Sequence, residues 1–179
     1  MYIYIRMNEN VLFENKTCIN GCCNYITSNF TTYKTKNHKD SNKKGGALIY
    51  DYKTRKVLLV QSRGNLWGIP KGTFENDENS VDCTIREVEE ETGIKIPRIF
   101  FDEIDKYSCL NIYGNGFYYF YPIKEIIVKP FTNMDNDVNA IGWFKLRCLH
   151  EMINNGKIKL NVHTKKCFKY FLGIKFKTF

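Results

Sequence analysis

Between Gly72 and Ile94 the chain gathers eight acidic side chains against a single arginine. The run reads GTFENDENSVDCTIREVEEETGI, and its second half has the marks of a helix over about 80–92. Ser80 or Asn79 supplies an N-cap oxygen, and Gly93 supplies the C-terminal stop. At about 100° per residue, Val81, Ile85, Val88 and Thr92 form an apolar stripe. On the same wheel Glu90 and Glu91 flank Glu87 at about −60° and +40°. Three carboxylates therefore fan out on the face turned away from the core. Like charges at these spacings destabilise a helix by about 0.2–0.5 kcal/mol per pair, and a divalent cation removes that cost. Carboxylate oxygens suit Mg²⁺ or Mn²⁺, which keep several waters and take phosphate oxygens as remaining ligands. A solvated acidic face has the same composition, and the three glutamates alone do not separate the two readings.

The acids of this segment sit in a chain whose net charge is nevertheless +8, so the rest is strongly basic. A concentrated acidic site in a basic protein suits cations at the site and a polyanion around it. The chain has 179 residues and is 43% hydrophobic, enough for one domain with a real core and an appended arm. No apolar run approaches a membrane span. The start lacks the regions of a secretory signal, so a soluble cytoplasmic protein is expected. Seven scattered cysteines are expected as reduced thiols.

Residues 1–44 are polar and weakly patterned, with a basic end including Lys34, Lys36, Lys39, Lys43 and Lys44. They read as a Cys-containing arm outside the core, with residues 45–179 forming the main domain. Ala47–Tyr52 and Lys56–Gln61 read as strands, and Trp67-Gly68-Ile69-Pro70-Lys71-Gly72 as a rigid loop. Strands are expected at Ile99–Tyr107, Phe117–Ile123, Ile126–Phe131 and Ala140–Phe144, with a turn at Gly114-Asn115-Gly116. Leu146–Asn154 reads as a short helix stopped at Gly156. Residues 157–179 hold seven lysines and no acid, at partly helical apolar spacing.

The segment 72–94 resembles the Nudix box: Gly, five residues, Glu, seven residues, Arg-Glu, an aliphatic, any residue, Glu-Glu, any residue, Gly, an aliphatic. Gly72, Glu78, Arg86, Glu87, Val88, Glu90, Glu91, Gly93 and Ile94 fill every fixed position. The resemblance covers about residues 45–150 and leaves out the arm. It implies an α/β/α sandwich with a mixed β-sheet and the box helix against it. It also implies Mg²⁺ or Mn²⁺ held by Glu87, Glu90 and Glu91, with the Gly72 carbonyl as a further ligand. Arg86 is expected to pair with an acid such as Glu78, and Cys83, beside the acids, to fill space. The implied reaction is water attack on phosphorus in a nucleoside–diphosphate–X substrate, with a carboxylate taking the proton.

The approach Trp67–Gly72 resembles that of mRNA-decapping, diphosphoinositol-polyphosphate and diadenosine-polyphosphate hydrolases. Lys71, with Arg63 and Trp67, is a candidate substrate contact. Asp137–Phe144 resembles the decapping-type segment that carries a Glu, four residues, then an acid before Trp. Asp137 keeps the first acid and Gly142 replaces the second, so the proton acceptor is left to Asp137, Asp135 or an acid of the box. Decapping-type Nudix proteins of large DNA viruses are similar in having a Cys-bearing arm and an Asn/Lys/Ile-rich composition. Capped RNA is the favoured substrate, with Lys165, Lys166 and Lys169 as a backbone track. Small polyphosphates, or nucleotide and RNA binding without turnover, are the alternatives. The aromatic run Phe117–Tyr121 suits either base stacking or sheet core. Cys18-Ile-Asn-Gly-Cys22-Cys23, with His38 downstream, is a candidate zinc grouping of a spacing that fits no standard knuckle. The oligomeric state is not legible.

Overall fold

A computed structural model describes residues 13–28, 43–62, 65–105, 108–128 and 138–176. Among these, strands β1 (Phe13–Thr17) and β2 (Asn24–Ser28) form a hairpin, and β3 (Lys44–Asp51) and β4 (Lys56–Ser62) follow. Next come β5 (Leu66–Gly68), β6 (Lys71–Thr73), α1 (Ser80–Thr92) and α2 (Ile99–Glu103). The chain continues through β7 (Cys109–Ile112), β8 (Gly116–Pro122), β9 (Ala140–Lys145), α3 (Leu146–Asn154), β10 (Lys159–Leu160) and α4 (Val162–Leu172). The strands join in one mixed sheet of order β1-β2-β9-β4-β3-β8-β7. The β3–β8 pair is parallel, as is the short β5–β10 pair, and the other pairs are antiparallel.

Continuous apolar runs explain the centre of the sheet. Ala47–Tyr50 and Val57–Val60 are buried throughout, as strands covered on both faces must be. Alternation then assigns the faces. Ala47, Ile49, Leu58 and Val60 pack with Val88 of α1, whereas Leu48, Tyr50, Val57 and Leu59 pack with α3 and α4. The result is the expected sandwich, with α1 and α2 on one face and α3 and α4 on the other.

Four local expectations are corrected. Residues 99–103 form a short helix rather than the start of a strand. Pro97 begins the turn, and the Phe100 N–H bonds the Pro97 carbonyl at 3.0 Å; this places Phe100 on Tyr121 and Phe101 on Tyr119. The expected strand over 126–131 is not formed by residues 126–128, and residues 129–131 lie outside the described residues. The Trp67–Gly72 approach is strand at both ends, in β5 and β6. The expectation that residues 1–44 stay outside the core fails for residues 13–28. β2 pairs with β9, and Cys18 and Cys23 are buried in the core on the α3 side.

Candidate active site

The Asn79 side chain caps α1, accepting the Val81 and Asp82 N–H groups at 2.9 and 3.0 Å. Gly93, at φ 74°, ends it. The helix lies across β3 and β6. Its buried face is Cys83, Thr84, Val88 and Thr92, while Val81 and Ile85 are half-buried. The contact face is thus turned toward the acids relative to the apolar stripe, because two glycines let the helix settle. A Cβ on Gly45 would lie 2.9 Å from the Cys83 sulfur, and one on Gly72 would overlap the Glu87 carboxyl group. Cys83 fills the space below the strand. Burial, and then the Glu87 and Glu78 carboxylates, push its thiol up to about 12, which leaves it protonated and inert.

Glu87 is therefore not fully turned out: its side chain is only 13% exposed. Burial raises its pKa above the usual carboxylate range. Arg86 offsets part of that cost. Its guanidinium donates to both Glu78 oxygens (2.7 and 2.9 Å), to Glu87 Oε1 (2.9 Å), to Glu90 Oε2 (3.1 Å) and to the Thr73 carbonyl (3.0 Å). Paired to Arg86, Glu78 is held below its usual pKa. Glu91 accepts the Lys71 backbone N–H at 2.8 Å, tying the third carboxylate to β6. Glu87 thus sits over Gly72 and Glu91 is tied to Lys71 where α1 crosses β6, and the exposed Glu90 shares the Arg86 guanidinium with Glu87. Carboxylates and a strand carbonyl are a donor set for a hard divalent cation, and the space that only glycine leaves at position 72 is where Glu87 sits.

The opposite side of β6 has the opposite charge. Gly72 faces α1, so Lys71 and Thr73 face away. Lys44 of β3 donates to Thr73 Oγ1 at 3.1 Å. Burial and then the charge of Lys71 lower its pKa, while Glu87 and Glu91 oppose that shift. The N-terminus of α4 closes this side. Asn161 caps the helix through the Thr164 N–H at 2.8 Å, the Asn161 N–H bonds the Trp67 carbonyl at 3.0 Å, and Thr164 Oγ1 accepts the Ile69 N–H at 3.0 Å. His163 is thereby set against the Tyr118 hydroxyl. Burial, then Lys71, Lys166 and Lys44, lower its pKa, so the ring is neutral at pH 7. Beyond it, Lys166, Lys169 and Tyr170 of α4 and Leu110, Asn111, Ile112 and Tyr113 line an open groove of about 520 Å³. Lys166 Nζ sits 4.1 Å above the Tyr113 ring. The sequence showed Lys44 only as part of a basic stretch and Tyr118 only as one of an aromatic run, and it did not single out His163 or Tyr113; only their fold neighbours join them to the box.

Other expected site residues are placed elsewhere. Trp67 is 4% exposed, with its ring against Phe144 (4.9 Å) and Tyr25 (5.9 Å). It is core on the sheet face opposite α1, and the burial leaves no ring face for a substrate. Tyr118–Tyr121 are likewise sheet core, covered by Phe101, Phe100, Phe171 and His163. Lys165 is half-buried on α4. Arg63, Asp135, Asp137 and His38 lie outside the described residues. Gly142 does have a structural reason: a Cβ there would overlap Tyr25, its partner on β2. The docked hairpin occupies the space that an acid at this position would need.

The sequence profile of the NUDIX domain matches residues 43–162. The chain belongs to the NUDIX family. Its similarity within the family runs to the mRNA-decapping type. Over 120 residues it is 32% identical to an m7GpppN-mRNA hydrolase of Saccharomyces cerevisiae, a match covering 64% of this chain and 12% of that protein. Over 153 residues it is 28% identical to putative hydrolase 111R of Invertebrate iridescent virus 3, covering 81% of this chain and 85% of the viral one. Among solved structures, the NUDIX domain of Shewanella oneidensis NrtR, complexed with ADP ribose, aligns with TM-score 0.53 at 18% identity over 79% of this chain and 92% of that one. The shared Nudix fold is what that alignment shows. Among the described residues no helix is long and apolar enough to cross a membrane.

Proposed function

We propose that this Nudix protein is a divalent-metal-dependent pyrophosphohydrolase of nucleoside–diphosphate–X substrates, acting on the 5′ cap of RNA. The observation that carries the RNA reading is the groove between β7 and α4. Lys71, Gly46, Tyr118 and Leu110 are successive partners across β6, β3, β8 and β7. Three inter-strand steps of about 4.8 Å put the groove roughly 14 Å from Lys71. A small polyphosphate held at Lys71 has no need of a basic groove at that distance, whereas a chain leaving the site does. Lys166 and Lys169 suit its phosphates, and the exposed Tyr113 and Tyr170 suit its bases. The name of the yeast relative, an m7GpppN-mRNA hydrolase, agrees with this reading.

Glu87, Glu90, Glu91 and the Gly72 carbonyl would hold Mg²⁺ or Mn²⁺. A metal there neutralises phosphate charge and lowers the pKa of a water. Arg86 orients Glu87 and Glu90 and keeps their mutual repulsion from splaying the site. Lys71 and Lys44 meet phosphate oxygens from the far side of β6, so the substrate lies over the strand between carboxylates and cations. His163, neutral and bonded to Tyr118, offers a ring for a hydrogen bond without adding charge. With position 142 closed to an acid, the proton acceptor is assigned to Asp137, with Asp135 or a box glutamate in reserve.

The test is a panel with Mg²⁺ and Mn²⁺ over capped RNA, free cap analogue, diphosphoinositol polyphosphate and diadenosine tetraphosphate. Capped RNA is expected to be turned over best. Changing Lys166 and Lys169 to Ala is expected to weaken RNA binding and flatten its salt dependence by about 0.7 in log–log slope per lost contact. Hydrolysis of cap analogue should be nearly unchanged. Good turnover of a small polyphosphate with no effect of these changes on RNA would replace the cap reading by the small-polyphosphate one.

A further inference from the structure

The β1–β2 hairpin carries a cluster that hydrolysis does not use. Cys18, Cys22 and Cys23 lie at its turn and Cys148 lies in the first turn of α3, on the sheet face away from the acidic helix. Their four sulfur atoms all lie within 4.8 Å of one another. Cys22 Sγ is 3.1 Å from Cys148 Sγ, 3.6 Å from Cys18 Sγ and 4.0 Å from Cys23 Sγ. We infer that these four cysteines form a tetrathiolate zinc site that fastens the N-terminal hairpin to the Nudix domain.

The separations fit that ligand set. A tetrahedron with Zn–S bonds of about 2.3 Å has S–S edges of about 3.8 Å. The observed contacts scatter around that edge and stay well above the disulfide length of about 2.05 Å. All seven cysteines of the chain are free, yet Cys83, Cys109 and Cys167 lie outside this cluster. Buried cysteines acting only as small apolar groups have no reason to converge in a set of four.

N–H donors also point at these sulfurs. The Cys23 N–H points at Cys18 Sγ (3.4 Å), the Lys145 N–H at Cys23 Sγ (3.3 Å), and the Asn20 amide at Cys148 Sγ (3.4 Å). Three of the four sulfurs thus receive an outside donor, the pattern by which outer groups orient and stabilise metal-bound sulfur. The hairpin turn is shaped for the purpose. Gly21 is at φ +64°, its N–H bonds the Cys18 carbonyl at 2.9 Å, and Cys22 is folded back on Cys18. The sequence alone suggested His38 as a fourth ligand. The fold instead supplies Cys148, 126 residues from Cys22. Four converging soft sulfurs select zinc over the hard cations expected at the glutamates.

Such an ion would hold β2 on β9, and so keep Tyr25 over Gly142. This inference stands apart from the hydrolase reading and is tested without an activity assay. The full chain, purified reduced and without chelator, is expected to contain one zinc per molecule by elemental analysis, released by a mercurial. Cobalt exchanged for the zinc is expected to give the charge-transfer and intense visible bands of tetrahedral thiolate ligation. Cys148→Ser should lose both signals, Cys109→Ser should keep both, and Asn20→Ala should weaken zinc by about 10–100-fold. If Cys148→Ser does not fold, the stoichiometry and cobalt spectrum of the unaltered chain decide. Zinc below about a tenth of an equivalent after exposure to excess metal, with no cobalt bands, would overturn the assignment. So would a Cys22–Cys148 disulfide in the purified chain, seen as an intact mass lower by two hydrogens and located by peptide mapping.

Discussion

Replacing Gly72 by alanine tests the catalytic geometry with the removal of no functional group. The strand backbone at position 72 accepts any residue, but the new methyl overlaps the Glu87 carboxyl group. Since β6 is pinned by its pairing to β3 and by the Lys71 N–H to Glu91 bond, the side chain of Glu87 is what must move. It then loses its 2.9 Å bond to Arg86. A displaced rotamer costs about 0.5–1.5 kcal/mol, so stability should fall by about 1 kcal/mol, or about 2–4 °C in Tm. A ligand shifted by about 1 Å costs on the order of 10²-fold in rate, so kcat should fall by that much while the fold survives. The assay is kcat at saturating Mg²⁺ on the best substrate of the panel, with Tm measured in parallel. Gly156→Ala is the control: its φ of +71° strains an alanine by about 1–2 kcal/mol, but it ends α3 far from the glutamates. It should cost stability without costing rate. A Gly72→Ala enzyme with near-normal kcat and an unchanged metal titration would refute the placement of Glu87 as a ligand held over that glycine.

Two further outcomes are expected. Glu90→Gln should abolish turnover with Tm nearly unchanged, because this side chain is 55% exposed and packs little; retained activity on every substrate would remove Glu90 from the metal site. Asp51→Ala should cost on the order of 3 kcal/mol, since the buried carboxylate accepts the N–H groups of Lys53 (2.7 Å), Thr54 (3.3 Å) and Glu125 (2.9 Å). The Glu125 N–H, with the others, lowers the folded pKa of Asp51. Its stabilisation is therefore present above the unfolded carboxylate pKa and lost as pH falls through the folded value. Urea titrations at neutral and acidic pH should find the mutant gap narrowing with acid, and a constant gap would count against the ionised cap.

What was legible in the sequence was local. The limits of α1 follow from a cap, an apolar period and a glycine, all within one segment. The Arg86–Glu78 pair lies eight residues apart and is fixed by the same turn and helix. The central strands were legible because burial on both faces leaves an unbroken apolar run. Tertiary structure decided whatever depended on which segment covers which. Phe100 and Phe101 read as strand until the β8 tyrosines gave their rings a helical landing site. Trp67 read as a substrate contact until the hairpin supplied Tyr25 to cover it. Lys44, Lys71 and His163 come from three separate elements, and no local pattern joins them. Gly142 and Cys148 carry the same lesson: one is glycine because a strand from the chain's other end lies on it, and the other joins three cysteines that pairing of that strand brings within reach. Sequence periodicity encodes which way a side chain faces, but only the docking of distant segments decides what it meets there.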